Sequence, residues 1–152
     1  VLSVVDIIAP TTWLDVFIIM GGNAKGGGEI TVKGVVVSRS GSGRVYAEGG
    51  TNTLAKNSLS GNAASFSGGG IYASGGMNTL TANSLSGNFA FSSGGGVYIE
   101  GGTNTLTNNS LSGNTAGSSG GGIYTFDGVN TLTNNSLPGN TACPVYTSDA
   151  AA

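Results

Sequence analysis

Single apolar residues, each set between polar ones, recur along most of this chain, as in Thr105-Leu106-Thr107, Ser110-Leu111-Ser112 and Gly96-Val97-Tyr98. Alternation with period two reads as short strands that bury one face and wet the other. The same phrase returns every 26 residues: Leu54, Leu80, Leu106 and Leu132 keep that interval. So do Leu59, Leu85, Leu111 and Leu137, and the Gly-Asn pairs at 61–62, 87–88, 113–114 and 139–140. Units in step without insertion predict one structural element repeated. A helix is excluded, because the apolar spacing is not 3.6 and glycine and asparagine disfavour it.

Three short strands and three turns in 26 residues make one triangular coil of a single-stranded parallel β-helix, an all-β solenoid. Each coil adds about 4.8 Å, the distance between hydrogen-bonded strands, so equivalent residues stack into columns. A one-residue slip would expose every leucine, which pins the register. The expected inner columns are the two leucine series, Val45/Ile71/Val97/Ile123 and Ala64/Ala90/Ala116/Ala142. Tyr46, Tyr72, Tyr98 and Tyr124 point outward as an aromatic ladder that covers backbone and stiffens the coil stack. Asn57, Asn83, Asn109 and Asn135 form an asparagine ladder at a turn, where asparagine tolerates left-handed backbone and side-chain amides bond along the axis.

The pattern divides the chain into an atypical N-terminal cap with degenerate first coils (1–40), solenoid repeats (41–147) and a tail (148–152). Terminal repeats have one neighbour and need a cap. Gly22-Asn23-Ala24 echoes the repeat, and Thr31-Val32-Lys33 and Val35-Val36-Val37 supply further strands. The stretch from Val1 to Met20 is apolar, but Asp6, Pro10, Thr11, Thr12 and Asp15 interrupt it, well short of the ~20 apolar residues of a membrane span. It lacks a signal peptide's basic start and small-residue cleavage site. Val1 in first place is expected of a processed chain or a fragment.

Composition narrows the function. The chain has 29 glycines, no histidine and a net charge of −2, and its five basic residues all precede Asn57. Nucleic acid and anionic lipid both demand a basic footprint that most of the chain lacks. Histidine–metal sites and imidazole catalysis are excluded. Cys143, the single cysteine, reads as a small, partly buried thiol. Carbohydrate-cleaving solenoids need paired carboxylates or carboxylate-bound calcium. Here Glu48 and Glu100 share a column but stand two coils apart, with Ser74 between them. The glycine triplets are not phosphate loops, since no Gly-Lys-Ser/Thr follows. No catalytic, cofactor or metal residues are assigned, and an enzyme is not expected.

The Gly68-Gly69-Gly70-Ile71 and Leu85-Ser86-Gly87-Asn88 pair, with its copies at 94–97, 120–123, 59–62, 111–114 and 137–140, resembles the "GGAI" and "FxxN" signatures of the polymorphic outer-membrane protein repeat first named in chlamydial surface proteins. Glycine stands for the family's alanine and leucine for its phenylalanine. The resemblance covers residues 41 to 142. It implies a right-handed β-helix, exposed on or released from a cell surface, serving adhesion or surface architecture.

These features predict an extracellular or cell-surface structural or adhesive module. It would contact a protein partner or a second copy through the solenoid ends or residues 1–20, as a filament or assembly subunit, with surface glycans as a further expected partner. A second reading is ice binding. Thr79, Thr81, Thr105, Thr107, Thr131 and Thr133, with Thr53 completing the stack, make a flat, uncharged Thr-x-Thr face similar to that of β-solenoid antifreeze proteins. A third is a carbohydrate-binding module using the tyrosine column. Asn108-Asn109-Ser110 and Asn134-Asn135-Ser136 are glycosylation sequons in a eukaryotic source.

Overall fold

The computed structural model describes residues 45–143 in full and, before them, the backbone of six strands between residues 5 and 38. All described elements are strands. The first coil holds β1 (Val5–Ile7), β2 (Thr11–Asp15), β3 (Ile18–Met20) and β4 (Asn23–Ala24). An antiparallel hairpin follows, β5 (Glu29–Val32) with β6 (Val35–Ser38). The second coil holds β7 (Val45–Glu48), β8 (Thr51–Ala55), β9 (Ser58–Ser60) and β10 (Ala63–Ala64). The third repeats it as β11 (Ile71–Ser74), β12 (Met77–Thr81), β13 (Ser84–Ser86) and β14 (Phe89–Ala90). The fourth is β15 (Val97–Glu100), β16 (Thr103–Thr107), β17 (Ser110–Ser112) and β18 (Thr115–Ala116). In the fifth, β19 (Ile123–Phe126), β20 (Val129–Thr133) and β21 (Thr141–Ala142) remain, and the third strand shrinks to the bridge between Ser110 and Ser136.

The chain is therefore a parallel β-solenoid in which each strand lies on its equivalent one coil away. Leu80 pairs in register with Leu54 and Leu106, and Leu85 with Leu59 and Leu111. Four stacked sheets result where three strands per coil were expected. The fourth, built from Ala63–Ala64 and its equivalents, is only two residues long and too short to show alternation. The hairpin lies outside the stack and accounts for the longer interval at the start: Val5, not a residue 26 positions back, pairs with Val45. Strands drawn from residues 5–24 thus form a coil in register with the next one. The Gly22-Asn23-Ala24 echo is one residue off, because Ala24 pairs with Ala64. The tail at 148–152 and the last stretch of the predicted repeats, 144–147, lie outside the described residues.

The core is a narrow column of Val45, Ile71 and Val97, the two leucine series and small alanines, all close to fully buried in the inner coils. Each fully buried leucine contributes about 1.5–3 kcal/mol. Alternation does what it predicts in β8, where Asn52 and Leu54 are buried and Thr51, Thr53 and Ala55 are partly exposed. The glycine triplets are packing devices. A Cβ on Gly69 would stand 2.3 Å from the Gly95 carbonyl oxygen, and one on Gly70 would meet Leu85 Cδ2 at 2.9 Å.

Three asparagine ladders run along the axis. In the one formed by Asn57, Asn83, Asn109 and Asn135, each carboxamide donates to the next coil's Oδ1 at 3.0 Å. The carboxamides of Asn83 and Asn109 also donate back, to the Leu54 and Leu80 carbonyls, at 2.8 Å. A second ladder, Asn62, Asn88, Asn114 and Asn140, repeats the scheme. The third, Asn52, Asn78, Asn104 and Asn130, lies inside a strand. The left-handed backbone expected at Asn57 and its equivalents falls one residue earlier, on Lys56, Ala82, Asn108 and Asn134, with φ of 53°, 54°, 57° and 53°. The ladder asparagines are free to turn inward because the residue ahead of each takes the strained conformation.

Candidate functional site

With the inward columns committed to packing, any contact chemistry must lie on the outer faces. The broadest is the five-stranded sheet β2-β8-β12-β16-β20. Its register brings the predicted threonines together: Thr53, Thr79, Thr105 and Thr131 form one column, and Ala55, Thr81, Thr107 and Thr133 another. Exposure grows toward the C-terminal end, from half-buried Thr53, Thr79, Thr81 and Thr107 to exposed Thr105, Thr131 and Thr133. A third column, Thr51, Met77, Thr103 and Val129, borders them and was not foreseen; Met77 and Val129 make it partly apolar. In the first coil the row becomes Thr11, Trp13 and Asp15, which ends the threonine array.

The second face carries the tyrosines. Tyr46, Tyr72, Tyr98 and Tyr124 stack ring on ring, with centroids 5.2, 5.0 and 5.4 Å apart and planes within 16° of parallel. Stacking occupies the inner rings' faces on both sides. A sugar would need a free face, so it could not lie flat on Tyr72 or Tyr98 without displacing a neighbouring ring. Beside it run Glu48, Ser74, Glu100 and Phe126. Tyr46 donates to Glu48 of its own coil at 3.2 Å. Tyr72 has Ser74 in that position and reaches one coil further to Glu100, at 2.6 Å. Burial, then the Glu100 hydrogen bond and its negative charge, push the Tyr72 phenol well above its usual range. Tyr98 is shifted the same way, first by burial and then by the Glu100 charge. Each carboxylate is engaged by a phenol, and the two are separated by the Ser74 coil.

A third feature escaped the sequence reading. Phe66, Phe89 and Phe91 stand exposed on neighbouring coils, at 61, 41 and 70 %. Phe89 and Phe91 border a groove of about 290 Å³ shared with Ala63, Ala64 and Ser65. Equivalent positions elsewhere hold Ala63 and Thr115, Ser65 and Gly117, and Ser92 and Ser118. Comparing each column with its neighbours would have exposed these three as departures. Cys143 is exposed, against the partly buried position expected of it. Asn108 and Asn134, the sequon acceptors, are both exposed.

In-register parallel coils with asparagine and aromatic ladders define a parallel β-helix protein. The chain belongs to the family described as periplasmic copper-binding protein (NosD), which matches residues 17–150. The likeness to the outer-membrane protein repeat therefore holds at the level of the parallel β-helix, and the matching family is a different one. No curated protein and no solved structure matches the chain significantly. For the copper of the family's description the chain offers no histidine, one cysteine and two methionines. Among the described residues, no three of His, Cys, Asp and Glu stand together as a metal site. No described helix is long and apolar enough to cross a membrane.

Proposed function

We propose that the chain is a non-enzymatic periplasmic or cell-surface solenoid, a structural and adhesive module that associates through the end of its coil stack. The observation carrying this reading is the fifth coil. Leu132 and Leu137 are 46 and 45 % exposed, whereas Leu54, Leu59, Leu106 and Leu111 in the same columns are at 0 %. Strands β19, β20 and β21 are edge strands, paired on one side only among the described residues. Open edges over an exposed apolar core invite another coil of matching register. Sedimentation velocity across a wide concentration range, with negative-stain microscopy, tests it. Concentration-dependent rods that disappear in Leu132→Asp/Leu137→Asp support the reading, and a chain that stays monomeric throughout defeats it.

A second reading, ice binding, is favoured by one observation: seven threonines of adjacent coils lie in two straight, uncharged columns. Neighbours along a column are about 4.8 Å apart, and those along a strand about 6.6 Å. Thermal hysteresis lost in Thr105→Tyr or Thr107→Tyr would support it, and no hysteresis in the unmodified chain removes it.

A further inference from the structure

We infer that this chain has kept the coil of a family described as copper-binding while lacking the copper site, and that the missing part is the ligand set, not the scaffold. Copper(I) is held by thiolate and thioether sulfur, and copper(II) by imidazole nitrogen with oxygen donors completing a tetragonal set. The chain has no imidazole to offer, and its soft donors are Met20, Met77 and Cys143 alone. Stacking keeps these three apart. Met20 closes β3 in the first coil, Met77 opens β12 in the third, and Cys143 follows β21 in the fifth. Each therefore belongs to a different coil and a different one of the four stacked sheets. Two coils separate each from the next, about 10 Å along the axis. Metal–sulfur bonds are about 2.3 Å, so two sulfurs on one ion lie within roughly 5 Å of each other.

Among the described residues, the carboxylates do not repair the deficit. Glu48 and Glu100 face the tyrosine ladder with the Ser74 coil between them, and Tyr46 and Tyr72 donate to them. Asp127 sits at a turn, where its Oδ1 accepts from the Gly128 amide at 2.8 Å. The scaffold itself is well suited to a metal. Any outward column repeats one side chain every ~4.8 Å, a distance that two or three imidazoles can close around one ion. The column Thr79, Thr105 and Thr131 is such a place, flat and in register.

The test compares the unmodified chain with Thr79→His/Thr105→His/Thr131→His. Copper(II) uptake is read by electron paramagnetic resonance and copper(I) uptake by competition with a chromogenic chelator, with melting followed by circular dichroism. We expect the unmodified chain to leave the chelator loaded and to melt at the same temperature with and without copper. We expect the triple variant to take up copper(II), with nitrogen hyperfine structure and a raised melting temperature. A stoichiometric complex in the unmodified chain, lost in Met20→Leu/Met77→Leu/Cys143→Ser, would overturn the inference. So would a triple variant that keeps the β spectrum but binds nothing, since the scaffold would then be at fault.

Discussion

The Oδ1 of Asn109 accepts two hydrogen bonds from Asn83, one from its backbone amide at 2.9 Å and one from its carboxamide at 3.0 Å. Asn109 in turn donates to the Leu80 carbonyl and to Asn135. A buried amide is tolerated here because the rungs on either side of it satisfy it, and each rung depends on the next. Replacing Asn109 with alanine removes the acceptor of two Asn83 hydrogen bonds and one donor to the Leu80 carbonyl. At about 1–3 kcal/mol for each buried group left unsatisfied, the loss is roughly 3 kcal/mol or more. Asn108→Ala, at the exposed neighbouring position, should cost about 0.5–1 kcal/mol, the part of the left-handed backbone penalty that asparagine relieves. Urea unfolding of the two variants separates these values; equal costs would mean the ladder contributes little.

Ala82 holds a left-handed backbone, φ 54°, where the next two coils place Asn108 and Asn134. An exposed alanine there pays the Cβ penalty with no side-chain hydrogen bond in return. Ala82→Asn should raise stability by about 0.5–1 kcal/mol, or roughly 2–3 °C in melting temperature for a chain of this size. Ala82→Val should lower it, since β-branched residues are the least tolerant of positive φ. Thermal melts of the two variants give the sign directly.

Tyr72 ties stability to alkaline pH. Its folded phenol is held above the unfolded value of about 10, chiefly by burial and then by Glu100. A group whose folded value is raised supplies stability that is complete below the unfolded value and is lost as pH rises through the folded one. The chain should therefore weaken from about pH 10 upward. Tyr72→Phe should flatten that decline while leaving stability near neutrality little changed in its pH dependence. Phenolate absorbance and denaturant midpoints, measured at steps from about pH 8 to 12, check both parts.

The columns were legible because the repeat never slips: from Leu54 to Leu132 every equivalent residue is 26 positions on, and period-two alternation assigns its face. Other features depend on stacking itself. Asn52 alternates with Leu54 and so belongs inside, yet an asparagine reads as exposed until its partner in the next coil is known to lie 2.9 Å away. The first coil lost its register in the sequence because the β5–β6 hairpin lengthens the interval and few residue identities survive. The threonine face was readable from alternation alone, whereas the Phe66, Phe89 and Phe91 patch appears only when each column is read against its own neighbours. Cys143 reads as a partly buried thiol from its residue type alone, but it lies on the last described coil, where nothing among the described residues covers it.

That patch offers a test in which the chain supplies its own controls. Phe66→Ser, Phe89→Thr and Phe91→Gly each install the residue that the following coil already uses at the same place. A position served by serine, threonine or glycine one coil away does not need a phenyl group for packing, and Phe66 and Phe91 are largely in water while Phe89 is two-fifths exposed. Exposed substitutions away from special features usually change stability by no more than about 0.5 kcal/mol. The triple variant should therefore melt within a few degrees of the unmodified chain while retaining far less on a hydrophobic-interaction column, because a contiguous apolar surface has gone. A large fall in melting temperature would show that the rings pack onto the coil beneath, and the patch would then be part of the fold and not a contact surface.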